Sequence, residues 1–182
     1  PLDGWAKLPA GWSFMEVGGI AVDDHDNAYV FNRGEHPVIV FDRDGNLLRS
    51  FGEGIYHNRA HGIHYGVDGF IYCVDDARHC VDKFTTDGRM VWTLGEAGKP
   101  APKWSGTPFN RPTHAFVSPK SGDLFVSDGY GNSMVHRYSP DGRLITSWGG
   151  IGCEPGEFQH PPALVVDADE NVFVADRENN RV

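Results

Sequence analysis

The sequence predicts an all-β fold of repeated four-stranded units, and three observations predict it. The apolar segments are short, rich in Val, Ile, Phe and Tyr, and bounded by Asp-Gly or Asn, with no long helical pattern between them. An aromatic residue leading into Asp-Gly recurs at Phe41–Gly45, Phe84–Gly88 and Tyr138–Gly142. Each copy closes at a second glycine, in Phe51-Gly52, Leu94-Gly95 and Trp148-Gly149. Finally, Tyr29-Val30-Phe31-Asn32, Tyr72-Cys73-Val74-Asp75, Phe125-Val126-Ser127-Asp128 and Phe173-Val174-Ala175-Asp176 are one strand written four times.

Taken in order, each unit reads strand A, turn, strand B, loop, strand C, Asp-Gly turn, strand D. In the first unit (18–54), Ile20-Ala21-Val22 is strand A, Tyr29–Asn32 is strand B, strand C runs into Phe41 and strand D ends at Phe51. The second (60–98) has Gly62-Ile63-His64 and Tyr72–Asp75, then strands ending at Phe84 and Leu94. In the third (109–152) these are Ala115-Phe116-Val117, Phe125–Asp128, and strands ending at Tyr138 and Trp148. The fourth (158–182) has Leu164-Val165-Val166 and Phe173–Asp176 and stops at Arg181-Val182, where strand C should begin. The Asp-Gly glycines lie 43 and then 54 residues apart, and an insertion at Ala97–Thr107 accounts for the difference. Four antiparallel strands in such a repeat are a β-propeller blade.

About three and a half blades are present, whereas propellers close with typically 4–8. The expectation is a C-terminally truncated piece, or two copies that complete each other. Open strand edges at both ends would then favour self-association. Pro1–Val17, with Trp5, Trp12 and Phe14, is expected to be a lead-in or an outer strand of a closing blade. The sequence begins with Pro1 and not Met, as expected where preceding residues have been removed.

Composition narrows the partners. Sixteen basic against 25 acidic residues give a net charge of −9, which argues against nucleic acid and against an anionic membrane surface. No apolar run approaches the ~18 residues of a membrane helix. A soluble chain is expected, with its compartment unspecified and export left open. Three cysteines make no disulfide framework, and no CxxC knuckle occurs. Cys73 and Cys80 flank a B–C loop and are expected to be free thiols.

Blade topology also sorts the loops. The A–B and C–D turns open on one face, and their Asp-Gly pairs are turn chemistry. The B–C loops and D–A links open on the other. That face gathers Asn32–His36, Asp76–His79, Gly129–Asn132, Arg177–Asn180, Asn58–His61, Asn110–His114 and Gln159–Pro162. Arg, His and Tyr thus collect where strand ends converge on a central tunnel, which makes this face the candidate site. The plain alternative is a solvated polar rim.

Phe109-Asn110-Arg111-Pro112-Thr113, Val126-Ser127-Asp128-Gly129-Tyr130-Gly131-Asn132-Ser133 and Ala175-Asp176-Arg177-Glu178-Asn179 resemble the NHL-repeat propellers of the peptidyl-α-hydroxyglycine α-amidating lyase family. Val30–Gly34 and Ala60–Ile63 extend the resemblance over essentially the whole chain, with bacterial lyase-like relatives nearer than the neuroendocrine enzyme. It implies a six-bladed propeller that cleaves a peptidyl-α-hydroxyglycine, or a similar small amide, to a peptide amide and glyoxylate. It also implies a tunnel with zinc on three histidines and a structural calcium nearby. By position, His61 matches the first zinc histidine. Arg33 and Arg177 match the arginines that hold substrate charge, and Tyr130 matches the base for the substrate hydroxyl. The carbonyls of Ile20 and Ile63 match two calcium ligands.

The departures are as informative. Pro162 stands where the second zinc histidine should follow Pro161, His160 lies two residues earlier, and the third histidine belongs to a later blade. Zinc held only by histidines needs three of them with a fourth position open. His114 is expected to be a partly buried rim residue. A tyrosine is a poor base at neutral pH unless cations stabilise its phenolate, which Arg33 and Arg177 would supply. The plain roles are a packed aromatic for Tyr130 and surface pairing of the arginines with Glu35 or Glu178. Two functions therefore stand side by side: a lyase-like enzyme, and a non-catalytic NHL propeller binding a peptide or acidic ligand on its Arg/His-rich face. A calcium-dependent hydrolase ranks last, because the strand starts Gly18, Ala60, Thr113 and Pro161 supply no carboxylate or Asn cage.

Overall fold

The computed structural model describes residues 4–182. The first blade is β1 (Val17–Val22), β2 (Ala28–Asn32), β3 (Val38–Phe41) and β4 (Leu47–Phe51). The second is β5 (Ala60–Tyr65), β6 (Ile71–Asp75), β7 (Cys80–Phe84) and β8 (Met90–Leu94). The third is β9 (His114–Val117), β10 (Leu124–Asp128), β11 (Met134–Tyr138) and β12 (Leu144–Gly149). β13 (Ala163–Val166) and β14 (Val172–Ala175) begin a fourth, and a bridge from Asp176 to Arg181 starts its third strand. Each sheet is antiparallel, and its strands pair only with strands of the same sheet. Two B–C connections are helical turns, not loops: one α turn at Gly129–Asn132 and a 3-10 turn at Arg177–Asn179.

Apolar faces between successive blades form the core. Phe31, Val38, Val40 and Phe51 meet Ile63, Ile71, Cys73 and Phe84. Val74 and Val81 meet Val117, Leu124 and Val126, and Phe125 and Val135 meet Leu164, Val166 and Val174. The innermost strands β1, β5, β9 and β13 neighbour one another around the axis. Backbones approach closely there, which fixes two residue types. A side chain at Gly62 would run into the Thr113 carbonyl, and one at Gly129 into the Pro161 carbonyl.

At the start of the arc, the described residues before β1 form a lead-in and no strand of a blade. Trp5, Trp12 and Phe14 instead cover the outer face of blade one, packing on Val30, Ile39 and Phe41. Residues 1–3 of this segment lie outside the described residues. The first end is therefore a partly covered sheet face and not a strand edge. At the other end β14, flanked by β13 and a single bridge, presents an open edge. Cys73 pairs with Asp82, and Asp75 with Cys80, so the two buried thiols sit two rungs apart on adjacent strands, unbridged.

Two predictions follow from the packing. Gly129→Ala should destabilise the chain by about 1–3 kcal/mol in urea unfolding, because the new methyl must displace main chain. The second concerns pH. Burial pushes His64, stacked on Phe116, down to about 3, and His114, bonded to the Leu164 carbonyl, down to about 4, against 6.5 for an ordinary imidazole. The unfolded chain takes up these protons first, so the stabilisation is complete above about pH 6.5 and is lost as pH falls toward 4 and then 3. The limiting slope is about 1.4 kcal/mol per pH unit per histidine. The melting temperature should drop between pH 6.5 and 4.5, and less steeply in His114→Gln.

Candidate functional site

On the site face, the carboxylate at the end of strand B binds both the turn that follows it and the link entering the blade. Asp128 accepts hydrogen bonds from the Asn110 backbone N–H (2.9 Å) and from Asn132 Nδ2 (2.8 Å). The Tyr130 N–H donates to the Arg111 carbonyl (3.2 Å) and the Gly131 N–H to the Asn110 carbonyl (2.9 Å). Turn and link are thus one unit, and Tyr130 projects from it. The insertion joins this unit as a wall. Trp104 N–H donates to the Gly131 carbonyl, Asn132 Nδ2 donates to the Thr107 carbonyl, and the indole lies 6.3 Å from the His160 ring.

His61 reaches Tyr130 through a β-bulge between Ala60 and Gly62, which turns one residue out of the ladder. Blade one has the same bulge with Gly18 at that position, and so no side chain. β9 is regular, which sends His114 between blades, half-buried, as expected. His61 Nδ1 lies 2.7 Å from the Thr113 carbonyl and Nε2 lies 2.7 Å from the Tyr130 hydroxyl. A carbonyl only accepts, so Nδ1 carries the proton and Nε2 accepts from Tyr130. Burial, the largest influence, lowers the His61 pKa and keeps the ring neutral.

An open cleft of ≈ 300 Å³ is lined by Arg111, Tyr130, His160 and Arg177. The guanidinium carbons of Arg111 and Arg177 lie 5.0 and 5.5 Å from the centre of the Tyr130 ring. Arg177 also pairs with Glu178 at 2.8 Å. Tyr130, His61 and Arg177 are therefore brought together. Arg33 is not among them. It donates to the Ala60 carbonyl (3.1 Å), pairs with Glu16 of the lead-in and not with Glu35, and lines an adjoining cleft with Asn58 and Arg59. Ile20 and Ile63 hold equivalent register positions on the innermost strands, opposite Val30 and Cys73, with Ile20 exposed and Ile63 buried.

The sequence reading passed over the strongest charge cluster on this face. Asp76, fully buried, accepts from Arg59 Nε (2.8 Å) and Nη2 (2.6 Å), and from Arg111 Nε (3.0 Å) and Nη2 (2.5 Å). Burial raises the Asp76 pKa, but the two guanidinium groups outweigh it and the net shift is downward. The signal was present: Asn58-Arg59 and Asn110-Arg111 repeat in consecutive links.

For zinc, His61 fits one ligand position by residue type, with Nδ1 held by the Thr113 carbonyl and Nε2 the only ring nitrogen left to ligate, although here it accepts from Tyr130. Pro162 offers no donor, and no cluster of three His, Cys, Asp or Glu that could hold a metal occurs among the described residues. The residues here do not assemble the three-histidine set.

No family model matches the chain. It is 31% identical to the peptidylglycine alpha-amidating monooxygenase of Rattus norvegicus, over 92% of this chain and 20% of that protein. It is 32% identical to a probable peptidyl-alpha-hydroxyglycine alpha-amidating lyase of Caenorhabditis elegans (80% and 41%) and 28% identical to NHL repeat-containing protein 3 of Homo sapiens (98% and 54%). The chain thus spans from a fifth to about half of these relatives. Among solved structures, streptogramin B lyase superposes with a TM-score of 0.68 at 14% identity, over 93% of this chain and 51% of that one, a likeness of fold alone. The chain is an NHL-repeat β-propeller of about three and a half blades that resembles the peptidyl-α-hydroxyglycine α-amidating lyase family.

Proposed function

We propose that the Tyr130 cleft is the reaction site of an amidating lyase-like propeller, which cleaves a peptidyl-α-hydroxyglycine to a peptide amide and glyoxylate. The observation that carries the reading is the chain of hydrogen bonds from the Tyr130 hydroxyl through His61 to the Thr113 carbonyl. As Tyr130 takes the proton of the substrate hydroxyl, it passes its own to Nε2 of the neutral His61. No resting phenolate is needed. The alkoxide collapses to the aldehyde of glyoxylate, the C–N bond breaks, and its electron pair goes to the amide nitrogen. That nitrogen takes the relayed proton, so the products balance the substrate with no co-reactant. Arg177, over the Tyr130 ring, would hold the negative charge near the reacting centre, with Arg33 acting from the adjoining cleft.

A second reading, a non-catalytic propeller that binds an acidic peptide on this face, is favoured by one observation: Pro162 removes a metal donor from the family pattern. Turnover of N-benzoyl-α-hydroxyglycine, followed by glyoxylate release, separates the two. The lyase reading expects turnover that falls about 100-fold or more in Tyr130→Phe and in His61→Ala, with unfolding midpoints close to the parent's. No glyoxylate from the parent chain, with binding intact, would sink the lyase reading in favour of the second.

A further inference from the structure

We propose that Arg59, Asp76 and Arg111 form a carboxylate clamp beside the Tyr130 cleft, and that its ligand is the C-terminal carboxylate of a peptide. Asp76 is fully buried, while Arg59 and Arg111 are 36% and 43% exposed. One carboxylate therefore pins two guanidinium groups, with the buried Asp75 the next acidic group acting on Arg59. Both arginines bind Asp76 through Nε and Nη2. Among the described residues nothing accepts from Nη1 of either, so each keeps the two N–H donors of Nη1 and the second one of Nη2 for a ligand. His79 completes the support, its Nδ1 accepting the Arg111 backbone N–H at 3.0 Å. Burial, the largest influence, lowers its pKa, so it adds no charge of its own at neutral pH.

The position of the clamp identifies its ligand. Arg111 lines the Tyr130 cleft of ≈ 300 Å³, and Arg59 lines the adjoining one of ≈ 360 Å³. Either volume holds far more than a free small acid, and the Tyr130 and His160 rings, packed edge-on at 6.4 Å, line the Tyr130 cleft beside Arg111. A planar carboxylate matches guanidinium forks already fixed in place, so little side-chain freedom is lost on binding. The clamp rests on the lyase reading only for the chemistry that follows binding.

Calorimetric titration of the full chain with N-benzoylglycine, its neutral analogue N-benzoylglycinamide, and acetate tests the clamp. The acid should bind roughly tenfold or more tightly than the amide. Arg111→Gln should erase that preference, and Arg111→Lys should keep part of it. If Arg111→Gln does not fold, Arg59→Gln, which leaves Asp76 paired with Arg111, is read the same way. Equal affinity for acid and amide, or a preference that survives the glutamine variant, overturns the clamp. So does acetate binding as tightly as N-benzoylglycine, which would reduce the site to a small-anion pocket. An intact acid preference without glyoxylate release overturns the lyase reading alone and leaves the clamp standing.

Discussion

The whole site face depends on one constraint, a buried Asn or Asp at the end of every strand B. Asn32, Asp75, Asp128 and Asp176 are at most 2% exposed, so each must find partners within the protein. Asn32 takes the Gly34 N–H, and Asp75 takes those of Ala77 and Arg78. Asp128 and Asp176 go further and also take the N–H of Asn110 or Gln159 from the incoming link. A hydrogen bond to a charged group is worth about 1.5–3 kcal/mol, and leaving a buried carboxylate unpaired costs more. Link and turn are therefore locked together in blades three and four. That lock sets Tyr130 beside Arg111, and His160 beside Arg177.

The architecture was legible because it is local and repeated. Aromatic-Asp-Gly turns and the four strand-B copies each lie within a few residues of chain, and their spacing exposes both the blade and the 97–107 insertion. His61, Tyr130 and Arg177 were legible through resemblance, on the face that blade topology had selected. What escaped depends on non-local geometry. Asp76 and Arg111 are 35 residues apart and meet only because two blades pack side by side. Arg33 bonds to Glu16, a partner that pairing with nearby Glu35 did not suggest. The bulge that aims His61, absent from β9 and so from His114, is a shift of register that side-chain type alone does not reveal. The helical turns at Gly129 and Arg177 follow from closing strand B back on itself within four residues.

Charge distribution gives these pieces a common sense. The chain carries −9 overall, which repels an acidic ligand at long range, with salt limiting that field to about 10 Å. Inside the cleft the charges are paired at close range. Arg177 is matched by Glu178 and Arg33 by Glu16. Asp76 holds both Arg59 and Arg111, Asp75 acts on Arg59 from beside it, and His61 and His79 stay neutral. The guanidinium donors left over are thus fixed at the edge of the cleft by a carboxylate that solvent does not reach. Selection then acts at contact range, where planar geometry discriminates and general attraction does not. On the proposed reading a ligand brings its carboxylate to that edge, and the group it meets next is the Tyr130 hydroxyl, backed by His61 Nε2.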